Sequence, residues 1–415
     1  MLNPFSQNLP IELTMLPSRK KNINEIVEDI NYGRSMMIVS EPRMGCSAIF
    51  SYLFATENRI SLYGSSGKKL LFGIVNCRTL SFPFNQAEFW KLAFQSFKES
   101  NTFEKDVPTP WLFDFTTSKQ IDFFAAENII KNLKKLGYFP ILFLNDFDSI
   151  FSNQAPYELT NDLRSLSGSG LQYVILSYNP ALGYDKLGPL TNTLGTYRLV
   201  SLSNRDITMV LNHEEASFLP SDRSYINSVA GGHPYLLRVT AEALWIENKR
   251  NIDQKSRYVN AGKKVYSETQ FHFSEIWSLW GVEKRKVISA IALMQTPYIL
   301  KNHAFSSQDF AKELSKFSPE LHDLESFGYI DEDVSIPGGY KLTQGALMWW
   351  LADELIRTIR DEQSFREWIL DKELVGGLVK QTEIDQLQKI AKAVGNLLNE
   401  GAVSLIKAYA ESFIK

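Results

Sequence analysis

Short apolar runs alternate with helical stripes through the first two hundred residues. NINEIVEDINYG (22–33) spaces Ile23, Ile26, Val27 and Ile30 on one helical face and stops at Gly33. SMMIVS (35–40) then reads as a buried strand, and CSAIFSYLFATEN resumes as helix. KLLFGIVNC (69–77) is a second strand, followed by a helix in QAEFWKLAFQSFKES; the intervening YGSSGKK reads as a flexible loop. Residues 120–136 form another amphipathic helix leading into the apolar YFPILFLNDFD. ELTNDLRSL is helical, LQYVILSYNP is a strand, and LGTYRLVSLS is a last strand before helices at 205–217 and 222–230. Strands alternating with helices predict a mainly parallel sheet covered on both faces.

From GGHPYLLRVTAEALWIE to the low 300s the pattern is helical throughout. Residues 283–350 then give helices in EKRKVISAIALM, SSQDFAKELSKF and SPELHDLESFG, a turn at Pro337-Gly338-Gly339 between YIDEDVSI and YKLT, and the apolar helix GALMWWLADELI. Three helices and a β-wing are a winged-helix outline. The tail adds EIDQLQKIAKAVGNLL, with Ile384, Leu387, Ile390, Val394 and Leu397 in one stripe, and AVSLIKAYAESFI, with Val403, Ile406, Ala410 and Phe413. Both stripes need a partner surface, either a neighbouring domain of this chain or another protein.

A length of 415 residues exceeds one ordinary core, so two to four domains are expected. The 13% aromatic share supplies large side chains for filled cores or buried interfaces. A net charge of -3 does not suggest a protein that coats nucleic acid or binds a membrane surface. Cys46 and Cys77, the only cysteines, offer neither a disulfide framework nor a metal cluster, which points to a reducing cytoplasm. MLNPFSQNLP lacks a charged segment followed by an apolar one, so a signal peptide is not expected. The most apolar stretch, YFPILFLNDFDSIF, is broken by Asn145, Asp146 and Asp148, and no membrane span is expected.

Between the first strand and the next helix lies SEPRMGCS, almost a phosphate-binding loop. Such a loop needs G-x-x-x-x-G-K-[ST]: its glycines let backbone N–H groups close on phosphates, its lysine reaches the β and γ phosphates, and its hydroxyl holds magnesium. Ser40 stands at the first glycine, Gly45 keeps the second, Cys46 replaces the lysine and Ser47 keeps the hydroxyl. A partner motif should be an apolar strand ending in two acids. ILFLNDFD has that shape, but Asn145 sits where the magnesium-side aspartate belongs and Asp146 where the basic glutamate belongs.

Together these segments resemble the STAND-like branch of AAA+ P-loop ATPases, the archaeal-type and bacterial signalling ATPases related to NLR-like immune proteins. The resemblance runs through Asn3-Pro4-Phe5, PSRKKNINEI at the usual GRExE segment, SEPRMGCS, the EFW of 88–90, NDFD, LQYVILS, LGPLTNTLGTYRLVSLS and GGHPYLL, over roughly residues 1–350. It implies an α/β P-loop core with a parallel sheet, then an α-helical lid, a winged-helix domain and a short helical C-terminal tail. The expected divisions are 1–20, a segment packing on the core; 21–204, the core; 205–270, the lid; 271–361, the winged helix; and 362–415, a helical adaptor region. The resemblance places Pro234 against a nucleotide base and His233 near the phosphates. Gly231-Gly232 followed by His233-Pro234 is equally a helix end and the start of the next helix. Arg164 and Arg198 are either phosphate or interface arginines or members of ordinary surface pairs.

The lysine and both acids are changed at once, to Cys46, Asn145 and Asp146. Arg43 or Lys68 could compensate one loss, but losing lysine and magnesium-side carboxylate together removes the charges that stabilise transferring phosphate. No catalytic residues are therefore expected, hydrolysis should be absent or very weak, and no cofactor is required. Any retained ATP or ADP would be held weakly by Ser40, Arg43, Met44, Gly45, Cys46, Ser47, His233 and Pro234, with magnesium only through Ser47 and Asp146. The expected function is a pseudo-ATPase scaffold that assembles, as a homo- or hetero-oligomer, with an effector on another chain in a bacterial signalling or antiphage defence system. Contact would run through the winged helix and residues 362–415. The alternative is a DNA-associated AAA+ ATPase of the origin or transposition type with residual ATP binding. Against it, SPELHDLESFG carries Glu320, Asp323 and Glu325 and no Lys or Arg, and the wing opens with Asp331, Glu332 and Asp333, so nucleic acid is not the expected partner. Lys284, Arg285 and Lys286 read as a solvated helix start.

Overall fold

In a computed structural model, the chain is described over residues 3–5, 16–81, 84–99, 121–152, 157–178, 187–190, 194–212, 217–300, 314–358, 367–369, 388, 391–392 and 401–414. It divides into two units. One comprises Arg19–Pro42 and Cys46–Leu199, and the other Met1–Ser18, Arg43–Gly45 and Val200–Lys415. Most of SSQDFAKELSKF and of the stripe at 384–397 lies outside the described residues.

The first unit is an α/β core. Strands β1 (Met36–Ser40), β2 (Leu70–Asn76), β3 (Phe139–Asn145), β4 (Gln172–Ser177) and β5 (Gly195–Leu199) form one sheet in the order β2-β3-β4-β1-β5. Every pairing is parallel. Helix α1 (Lys20–Asn31) leads into β1, and α2 (Cys46–Phe54), α3 (Arg59–Tyr63), α4 (Gln86–Glu99), α5 (Phe123–Lys135), α6 (Asp148–Ser152) and α7 (Tyr157–Ser169) lie between the strands. Burial explains the unbroken apolar runs: β1 and β4 are buried at every position, and Ile141, Leu142, Phe143 and Leu144 of β3 are fully enclosed. Ile23, Ile26, Val27 and Ile30 are the buried stripe of α1, as their spacing predicts.

Aromatic side chains fill both faces of this sheet. Phe54 meets Phe143 edge-on with centroids 4.1 Å apart, and Phe50 and Phe72 complete that cluster. Phe89, Trp90, Phe94 and Phe97 are the buried residues of α4, and Gly73 on β2 lets α4 approach. A Cβ at Gly73 would lie 3.0 Å from the Phe97 ring. The glycine-serine stretch is a 3-10 turn, Gly64–Lys69, rather than a loose loop. Gly67 makes that turn possible, because a Cβ there would sit 2.5 Å from the Arg59 carbonyl oxygen.

The chain changes direction at the C-terminal ends of β1 and β4. From β1 it crosses past β4 and β3 to reach β2, whereas from β4 it goes the other way, past β1 to β5. In open parallel sheets such a reversal opens the crevice where ligands bind. SEPRMGCS begins at the last residue of β1, at that reversal.

The second unit is helical with one small wing. Its helices are α8 (Asn204–Leu211), α9 (Pro220–Ala230), α10 (Pro234–Asn248), α11 (Gln254–Leu279), α12 (Val282–Ile299), α13 (Ser318–Ser326), α14 (Gly345–Thr358) and α15 (Ala402–Ser412). The antiparallel pair β6 (Ile330–Glu332) and β7 (Tyr340–Leu342) is the wing, turned by Gly338 at φ 93° and Gly339 at φ 77°. Thus an α/β core built on a five-stranded parallel sheet is followed by helices, a two-stranded wing and a tail helix.

That tail helix packs within its own unit. Ala402, Leu405, Ile406 and Ala410 of α15 are buried, and α15 contacts α11 and α14. Gly262 of α11 leaves the space that Ile406 fills, since a Cβ there would stand 2.8 Å from the Ile406 methyl. Trp349 meets Tyr409 edge-on at 5.7 Å, and the Ala402 N–H donates to Asp353 Oδ1 at 2.8 Å.

The basic triplet at the start of α12 is not a solvated face. Lys284 pairs with Asp323, Lys286 is 3% exposed and lies 2.9 Å from Glu283, and buried Arg285 donates from Nε to the Trp277 carbonyl at 2.9 Å.

Candidate functional site

β1 ends at Ser40, and five residues turn the chain into α2. Two of them hold left-handed backbone: Gly45 at φ 94° and Arg43 at φ 63°. Nothing lies within 4 Å of a Cβ built on Gly45, so glycine is favoured there by backbone conformation and not by crowding. Arg43 pays for the same conformation with strain, on the order of 1 kcal/mol. Ser40 and Met44 are each 1% exposed, Cys46 is buried, and Arg43 and Ser47 face solvent. The Ser40 hydroxyl donates to the Glu41 carbonyl at 2.9 Å. Glu41, a residue the motif leaves unspecified, adds a buried carboxyl to the loop.

Cys46 takes the lysine position without supplying its charge. Burial pushes its thiol up to about 11, although Ser40 and the Arg19 guanidinium pull the other way. At neutral pH it is an uncharged thiol, poor both as nucleophile and as phosphate ligand. The side chain of Lys68 lies outside the described residues.

The acids after β3 are already engaged. β2 and β3 run in register, with Asn76 opposite Asn145, so the residues after each strand emerge side by side. Arg78, on the turn after β2, therefore reaches Asp146: its Nε lies 3.3 Å from Asp146 Oδ2. Asn145 Nδ2 donates to the same oxygen at 3.4 Å. Asp146 is 8% exposed and holds a left-handed backbone at φ 53°, which aspartate tolerates. Asp148 accepts from the Ser177 hydroxyl and from the Tyr178 N–H at the end of β4.

Magnesium asks for hard, charged oxygen ligands in octahedral array. Asn145 offers an amide, Asp146 is neutralised by a guanidinium, and both carboxylate oxygens of Asp148 accept protein donors. The donor set does not fit the ion. Among the described residues no three His, Cys, Asp or Glu side chains group to hold a metal.

Beside Cys46, a mainly apolar cleft between α1, β1, α2 and β5 is lined by Ile26, Ile38, Phe50, Tyr197 and Leu199, with Arg198 at its rim. It has room for about one water molecule. Arg164 is exposed on α7.

His233 and Pro234 lie in the other unit, which also takes in Arg43, Met44 and Gly45. Gly231 at φ 57° ends α9 and Gly232 at φ 78° continues the turn. Both are pressed by backbone: a Cβ at Gly231 would be 2.8 Å from the Thr343 carbonyl and one at Gly232 2.6 Å from that of Leu202. His233 is the N-cap of α10, its carbonyl accepting from the Leu237 N–H at 2.8 Å, and Pro234 opens the helix. The helix-end and helix-start reading of GGHP therefore holds in the backbone.

The His233 side chain does more than cap. It is 1% exposed, and its ring centroid lies 5.0 Å from that of His272 on α11. Tyr235 touches His272 at 5.1 Å, and the Arg43 guanidinium stacks over Tyr235 at 4.5 Å from the ring centre. His272 is fully buried, and neither ring nitrogen has a hydrogen-bond partner among the described residues. Burial, then His233 and Arg43, hold its imidazole well below the ordinary value. Burial lowers Arg238 as well, against the pull of Glu242 and Tyr235. Sequence reading missed Arg78, Arg238 and His272, which lie outside the quoted motifs, and gave no role to Tyr235, although it stands within GGHPYLL.

No family model matches this sequence, and no curated protein does. Among solved structures the chain is similar to the Aeropyrum pernix ORC2 protein in its ADPNP–ADP complexes, at 12% identity over 95% of this chain and 98% of that one, with a TM-score of 0.47. It is also similar to the Aeropyrum pernix ORC1 protein in complex with DNA, at 13% identity over 84% and 94%, TM-score 0.42. The third is Cdc6p from Pyrobaculum aerophilum, at 14% identity over 84% and 97%, TM-score 0.40.

Proposed function

We propose that this chain is a pseudo-ATPase: a P-loop scaffold that presents a surface to an effector on another polypeptide and turns over little or no ATP. One observation carries the reading. At the lysine position stands a buried, neutral Cys46, and the acid that should face a metal and water, Asp146, is instead paired with Arg78. Each missing phosphate or transition-state contact is worth a few kcal/mol, about a hundredfold in rate, so two together leave turnover near background.

A switch of this architecture ordinarily couples nucleotide state to an exposed or hidden surface. Without the chemistry, a protein partner sets the state. The winged helix supports this role more than a DNA role. Asp323 on α13 is tied to Lys284, and Arg285 and Lys286 are buried in internal contacts, so the one basic triplet singled out there is not offered to phosphate. Contact through α15 would require its apolar face to leave α11 and α14. No helix among the described residues is long and apolar enough to cross a membrane. We place the protein in the cytoplasm, in a signalling or defence assembly.

Phosphate release from purified protein with magnesium and ATP tests the reading, beside a Cys46→Lys/Asn145→Asp variant. Background release by the unmodified chain is expected; clear turnover would refute the proposal. Salt-dependent retention on DNA would instead support the DNA-associated alternative.

A further inference from the structure

The geometry points to Arg78 as a built-in replacement for the divalent cation: its ion pair with Asp146 neutralises the acid at the nucleotide-site edge of the sheet, and the site excludes magnesium. The inference rests on the pseudo-ATPase reading of the same site.

Three observations converge on it. The in-register pairing of Asn76 with Asn145 brings the turns after β2 and β3 side by side, which puts Arg78 within reach of Asp146. Asn76 Oδ1 accepts the Arg78 N–H at 3.0 Å and fixes the turn that carries it. Asp146 Oδ2 then receives two protein donors, the Arg78 guanidinium and the Asn145 amide, where the hydration shell of a metal would otherwise donate.

Charge explains why the pair persists. Asp146 is nearly buried, and a buried carboxylate needs a counter-ion. An aspartate at position 145 would add a negative charge beside Asp146 and favour a divalent cation; asparagine adds none, and a single guanidinium balances Asp146, while Asp148 is held by the Ser177 hydroxyl and the Tyr178 N–H. Arg78 and Asn145 therefore act as a matched pair. Arg78 is a positioning residue for Asp146, and it is 57% exposed along its side chain, so part of the guanidinium faces solvent, where an anionic phosphate would approach.

Manganese, read by electron paramagnetic resonance, serves as the probe for the magnesium site on the full chain, together with thermal unfolding in magnesium or EDTA. The unmodified protein is expected to take up no manganese that Asp146→Asn removes, and to melt at the same temperature in both buffers. Arg78→Gln/Asn145→Asp should gain manganese binding by about tenfold or more, since affinity follows the number of charged ligands. Arg78→Lys keeps the charge, guards against a folding defect in the Gln variant, and should still exclude the ion. Manganese uptake by the unmodified chain that Asp146→Asn abolishes would overturn the inference, as would a folded double variant that binds none. Phosphate release reports separately on the pseudo-ATPase reading, so either can fail alone.

Discussion

Acid should loosen the unit that holds His272, and the size of the effect follows from its surroundings. The imidazole is fully buried, packs against His233, Tyr235 and Phe273, and feels the positive Arg43. Arg238, Glu268 and Glu242 act one contact further out, on Tyr235 or on Arg238. Burial, His233 and Arg43 disfavour the charged imidazolium in the folded state, and the more distant Glu268 and Glu242 do not outweigh them. The unfolded chain takes up that proton near the ordinary value of about 6.5. Below that pH the unfolded state binds more protons, so stability rises with pH. The contribution is fully present above about 6.5 and is lost at up to about 1.4 kcal/mol per unit as pH falls towards the depressed folded value. Between pH 7 and pH 5 the loss assigned to this one group is at most about 2 kcal/mol. Urea unfolding followed by tryptophan fluorescence reads the right unit, because Trp277, Trp280, Trp349 and Trp350 all belong to it. Against His272→Leu, the unmodified protein should lose more over that interval, by up to about 2 kcal/mol. Arg43→Ala should reduce the loss by removing a like charge. Equal pH dependence in the unmodified and His272→Leu proteins would refute the burial argument.

Gly73→Val should destabilise the core by about 1–3 kcal/mol, because its Cβ would crowd the Phe97 ring; an unchanged melting temperature would show that α4 yields freely. Ile406→Ala, removing a fully buried side chain seated on Gly262, should cost about 2–5 kcal/mol and expose α15 to limited proteolysis, and unaltered cleavage would argue against that seat. Cys46 should react with a thiol reagent at pH 7 only slowly in the folded protein and rapidly in denaturant, since it is buried and its thiol stays protonated up to about 11; equal rates would contradict both statements.

What the sequence determined by itself was whatever repeats locally along the chain. Apolar runs of five to seven residues marked β1 to β4, the Ile23–Ile30 stripe marked α1, and the glycines at 231–232 and 338–339 marked turns, because strand burial, helical periodicity and left-handed backbone each act over neighbouring residues. The departures from an ATPase motif at Cys46, Asn145 and Asp146 were equally legible, as each is a substitution at a defined position. The consequences of those departures belonged to tertiary structure. Strand register brings Arg78 to Asp146, and helix packing sets His233 against His272 with Arg43 over Tyr235. Nothing in local spacing encodes which two strands lie side by side or which helix faces meet, and a charge has its effect through distance in space. The tail shows the same division: its apolar stripe was evident, but whether it faced another protein or its own chain was settled for α15 only by the packing of Ile406 on Gly262.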